Sequence, residues 1–226
     1  MNIEKLHDQL INGLAHDLMF AKRYFHLFKE IEKHWSKMNL LNEVDKHWIL
    51  LLKDSAVQQT VLYLSKIYDS SGERTKRGTR CLRDLLKQLD VSVINEAYKV
   101  IGLTPKLWPE FCDKHSIGFI GLGDVNATNF ISSLISYLDG QFSKNEDFKK
   151  KVLISLKAVR DKEVAHNENY VKEEKLSVDN IAQLIAISDA VLDFLNTYTS
   201  IEVSCSFGDQ NYMITQQIEK IFKTVS

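Results

Sequence analysis

Apolar residues return every three or four positions over long stretches of this chain, which is the rotation of an α-helix and predicts an all-α fold. Over 3–38 the residues Leu14, Ala21, Phe25, Phe28 and Trp35 form one stripe, with Lys and Glu opposite, so a single long helix is expected and Gly13 lies in its interior. A second long helix is predicted over 43–69, packing through Trp48, Leu52, Ala56, Tyr63 and Ile67. Asn42, with Asp45 three places on, serves as its N-cap, and the DSSG of 69–72 ends it. Leu82, Leu85, Leu86 and Leu89 give a third packed helix.

The pattern weakens between 91 and 140. A short helix at 91–101, a turn region at 102–109 and a helix at 127–138 holding Phe130, Leu134 and Ile135 are expected there, as an insertion into a bundle. It returns at 146–170, where Phe148, Val152, Leu156 and Val159 make a stripe that runs on into Glu163 and His166 instead of further apolar residues. Ser177 then caps a strong helix reaching about Tyr198, with Ile181, Leu184, Ile185, Ser188, Val191, Leu192 and Leu195 as its seam. Ile201, Val203, Cys205 and Phe207 alternate, which predicts a small strand or hairpin before a final amphipathic helix. The domain reading is one helical unit over 1–226, with 91–140 inserted and 200–226 as a C-terminal extension.

Composition agrees with long elements, since there are only two prolines and nine glycines. Hydrophobic residues make up 44% and charged residues 26%, as in an ordinary globular protein. A net charge of −1 means that any pull on nucleic acid or a membrane surface must be local. Cys81, Cys112 and Cys205 lack paired spacing, and 1–10 lacks a basic-then-apolar leader pattern, so the expected location is the cytoplasm, with no membrane partner. The histidines at 7, 16, 26 and 34 fall at irregular intervals without cysteine or paired-carboxylate companions, which predicts solvated or half-buried side chains and no metal site.

Three stretches invite chemistry. The GFIGLGD of 118–124 has its glycines in the reverse order for a dinucleotide loop and no strand-turn-helix around it, so no cofactor is expected. Residues 73–87 are the basic run. Four of the chain's six arginines, Arg74, Arg77, Arg80 and Arg83, lie there, either as an RNA-binding surface or as a solvated loop leading into the leucine-backed helix. In 160–168, RDKEVAHNE, Arg160 and Asp161 are followed by Glu163, His166 and Asn167, with Tyr170 just beyond.

That last stretch resembles the signature of the HEPN superfamily: an arginine, a polar residue, and a histidine four to six places after the arginine. The stretch at 61–86 resembles the abortive-infection, AbiU-like branch of the same superfamily. The resemblance implies a HEPN-like helical bundle, a homodimer, and a metal-independent endoribonuclease acting as a toxin or antiviral defence effector. It also implies a protein antitoxin of nucleotidyltransferase type as partner. Its chemistry fits the residues. Attack by a ribose 2′-hydroxyl on the neighbouring phosphate needs a proton acceptor, a proton donor and positive charge on the phosphorane. His166 supplies a proton role, Arg160 meets the phosphate oxygens, and Asp161 orients either group; Glu163, Asn167 and Tyr170 are near enough to contribute.

On a straight helix Arg160 and His166 lie about 120° apart. Bringing them together needs either unwinding near Ala165 or a two-fold partner supplying a second set. Two other functions use the same features. A non-catalytic helical interaction module would dimerise without cleavage, and an RNA-binding protein would work through the basic run alone.

Overall fold

A computed structural model describes residues 3–68, 81–89, 135, 152–161, 176–199 and 208–223. Every element among them is helical, so the fold is all-α. The chain winds continuously from α1 (Ile3–Gln9) through a π-helical turn (Leu10–Ala15) into α2 (His16–Lys33). The i→i+5 winding slows the rotation per residue, which keeps Leu10, Leu14 and Leu18 along one buried line. Gly13 is buried within that turn, which packs against the penultimate helix.

The expected helix over 3–38 ends as an α-helix at Lys33. His34 leaves helical geometry at φ −100° and ψ 9°, and Trp35–Leu40 continues as a 3-10 helix. The tighter winding turns Trp35 outward, to 45% exposure, so it is not the end of the buried stripe. The turn lets α3 (Glu43–Tyr68) run back against α2, and this antiparallel pair is the spine of the molecule. Asn42 caps α3 as its sequence implies. Its Oδ1 accepts from the Asp45 N–H at 2.9 Å, while its Nδ2 donates to Asp45 Oδ2 at 2.7 Å.

The packed face of α3 differs from the expected one over its first half. Trp48 and Leu52 are 61% and 41% exposed, and Ile49 is the buried residue. The WILLL of 48–52 is apolar all round the helix, so local periodicity gives no unique inner face there. Ala56 and Ile67 are buried as expected, with Thr60, Val61 and Leu64 beside them. Ile49→Ala is accordingly expected to cost about 2–5 kcal/mol of folding free energy. Trp48→Ser should cost no more than about 0.5 kcal/mol. Urea midpoints of the two variants separate the inner face from the outer one.

The principal core is built around that spine. α4 (Leu82–Gln88) buries Leu82, Leu85 and Leu86, with Leu89 just past its end; α5 (Ile154–Val159) buries Leu156, preceded by buried Val152. The fourth wall is α6 (Val178–Thr199), whose whole expected seam from Ile181 to Leu195 is buried. Its cap is reciprocal, because Ser177 Oγ accepts from the Asn180 N–H and Asn180 Oδ1 accepts from the Ser177 N–H, both at 3.1 Å. Two polar clasps fix α6 to the spine. Lys22 Nζ lies 2.9 Å from both carboxylate oxygens of Asp189, and Tyr68 Oη donates to the Leu184 carbonyl at 2.6 Å.

The final amphipathic helix is α7 (Gly208–Lys223). Ile218 and Phe222 close a second, smaller core with Ile31, Met38, Leu41 and Ile49 at the α2–α3 turn. His34 stacks on Phe222 with centroids 4.9 Å apart, and His26 Nε2 contacts Asn211 O and Thr215 Oγ1 at 3.2 and 3.1 Å. Both histidines are half-buried and hold α7 in place. Of the expected insertion, Ile135 alone is described; it is helical and packs against the principal core. The rest of 91–140 and the expected hairpin at 201–207 lie outside the described residues.

Candidate functional site

The end of α5 carries the described part of the site. Val152, Ser155 and Leu156 are buried and Val159 packs against the core, so this helix is anchored along one side. Arg160 continues it with helical φ −58° and ψ −51°, and Arg160 and Asp161 are wound as a π-type turn. The Arg160 side chain is 24% exposed and that of Asp161 45%. Arg160 Nε donates to Asp161 Oδ1 at 2.7 Å, and Nη2 reaches the same oxygen at 2.5 Å. Both nitrogens on one edge of the guanidinium thus converge on a single carboxylate oxygen. That contact helps to orient the plane of the fork.

Chemically, the pair is a positioned cation on a core-held helix, suited to charge developing on a phosphate or other oxyanion. A carboxylate beside it limits its attraction for anions at long range and leaves its geometry defined. Among the other expected site residues, Glu163, His166, Asn167 and Tyr170 lie outside the described residues, as do Arg74, Arg77 and Arg80. Arg83 is half-buried in the first turn of α4. Cys81 caps that helix, its Sγ accepting from the Asp84 N–H at 3.4 Å, so the basic run does lead into a leucine-backed helix.

A second cluster lies on the α2–α3 seam. His16, Phe20 and Tyr24 recur every fourth residue along α2 and meet Tyr63 of α3. Lys66 Nζ stands 4.2 Å from the centre of the Tyr63 ring. Beneath them Asp17 is buried, its Oδ1 lying 3.3 Å from His16 Nδ1 and 4.0 Å from Lys66 Nζ. Burial raises the Tyr63 phenol above its ordinary pKa, and the negative charges of Tyr24 (when ionised) and Asp17 push the same way. The sequence signal was the four-residue recurrence at 16, 20 and 24, on a flank of the stripe assigned to this helix.

No protein-family model, curated protein or solved structure matches the chain. What stands established is the all-α class. Among the described residues no helix is long and apolar enough to cross a membrane.

Proposed function

We propose that this protein is a metal-independent endoribonuclease of the HEPN type, a toxin or phage-defence effector that cleaves RNA through the 2′-hydroxyl. The observation that carries the reading is the Arg160 guanidinium, oriented by Asp161 at the end of a core-anchored helix. The resemblance of 160–168 to the HEPN signature joins it. In this reading Arg160 holds the scissile phosphate and neutralises the phosphorane. His166 transfers the proton, and Asp161 positions the arginine. A homodimer supplies the second Arg–His set, so that one imidazole acts as base and the other as acid. Arg74, Arg77, Arg80 and Arg83 contact flanking phosphates, and an antitoxin of nucleotidyltransferase type restrains the enzyme.

The test is incubation of the purified protein and its His166→Ala variant with total RNA in chelator. Wild type is expected to cut RNA and leave DNA of the same sequence intact, because the nucleophile is absent there. Cleavage by His166→Ala at the wild-type rate, or equal cleavage of the DNA, overturns the reading.

A helical interaction module is the second reading, favoured by the exposed apolar stripe of Val44, Trp48, Leu51 and Leu52 on α3. It predicts assembly without cleavage, and indifference to substitution at His166.

A further inference from the structure

We infer that the aromatic cluster on the α2–α3 seam is a stacking platform for the bases of single-stranded RNA. The choice of ligand rests on the ribonuclease reading; the geometry does not. Phe20 and Tyr63 have centroids 5.1 Å apart at 15°, Tyr24 and Tyr63 6.0 Å at 14°, and Phe20 and Tyr24 6.4 Å at 28°. Three near-parallel rings stacked in a column would place the outer two about twice as far apart as neighbours, at spacings of roughly 4.5–7 Å per pair. Here all three separations are similar, so the rings are tiled in a triangle and do not cover one another's faces completely. All three are half-buried where α2 meets α3.

Basic side chains border the tile. Lys66 and His16 are exposed, Lys66 Nζ lying over the Tyr63 ring and His16 tilted against Phe20, and both approach buried Asp17. Arg23, one turn from Phe20 on the same face of α2, is half-buried and forms no ion pair with a carboxylate among the described residues. Aromatic rings interleaved with basic side chains match the two halves of a single strand: flat bases for the rings, and a phosphate at each step for Lys66 and Arg23, with His16 beside them as a hydrogen-bonding group. An acidic peptide would use the cations and leave the tile idle. A duplex would offer phosphates with its bases stacked out of reach. Asp17 leaves the rim only modestly positive, so ring stacking supplies the preference for unpaired bases.

The probe is a fluorescein-labelled oligoadenylate of about 12 nucleotides, within the footprint of known single-strand binding folds. Its anisotropy is read with full-length protein carrying His166→Ala, so that the probe is not cut. Phe20→Leu and Tyr24→Leu keep apolar volume but remove the π face, and each is expected to weaken binding by at least about fivefold. Tyr24→Trp should retain it. Lys66→Gln should lower the salt dependence by about one released counterion. Thermal melts confirm that each variant folds.

Leucine variants that bind like the parent, a parent that does not bind, or equal affinity for a duplex of the same length each overturn the platform. Binding by the parent with total RNA left intact by wild type leaves the platform standing and removes the ribonuclease reading. Cleavage by wild type with unaffected leucine variants does the reverse.

Discussion

Leu64→Ala is expected to remove about 2–5 kcal/mol of folding stability, a large share of the roughly 5–15 kcal/mol that holds a typical domain together. Leu64 is fully buried on α3, in the cluster to which α2, α4, α5 and α6 all contribute. Deleting its methyl groups loses their transfer free energy and leaves a cavity walled by several helices, which cannot all collapse into it together. A urea titration followed by circular dichroism should show the midpoint falling with an unchanged slope, since the surface exposed on unfolding stays the same. A loss below about 1 kcal/mol would mean that the spine relaxes into the hole, and that the cluster is less tightly packed than its burial indicates.

How much of this architecture the sequence announces varies from element to element. The cap of α6 and its seam were legible because one side of that helix is apolar and Ser177 with Asn180 closes its start locally. The cap of α3 was legible for the same local reason. The inner face of α3 over 48–52 was not, because five successive apolar residues leave the choice of face to tertiary packing. The end of α2 carries neither proline nor glycine, and His34 stops the α-helix where α7 docks, a contact made far along the chain. At the candidate site, periodicity placed Arg160 on the flank of a core-packed helix, and Arg160 is helical beyond buried Val152 and Leu156. The Arg160–Asp161 contact was open to adjacent residues with a long side chain. The aromatic tile was hidden because Tyr63 comes from a different helix than Phe20 and Tyr24, and no local pattern reports which rings will meet.

On the proposed ribonuclease reading, Arg160→Gln is expected to reduce RNA cleavage by about 10²–10³-fold, the usual cost of removing one preorganised group from a developing oxyanion. Glutamine keeps length and hydrogen-bonding capacity but carries no charge, so the loss reports on charge in the transition state. Asp161→Asn should cost less. It weakens the charge-assisted contact to the guanidinium yet leaves the cation present to meet phosphate. The two variants differ in kind as well as size. Loss of Arg160 is expected to lower kcat and kcat/KM together, because in the proposed mechanism its contact strengthens as charge builds on the phosphorane. Loss of Asp161 is expected to lower kcat with the pH profile unmoved, since the proposed mechanism gives proton transfer to His166. Arg160→Lys separates charge from geometry, for an ammonium restores the positive charge but not the planar fork, and its rate should lie between those of Arg160→Gln and wild type. Wild-type cleavage by Arg160→Gln would show that the ion pair at the end of α5 is only a helix terminus, with its cation favoured by the backbone dipole.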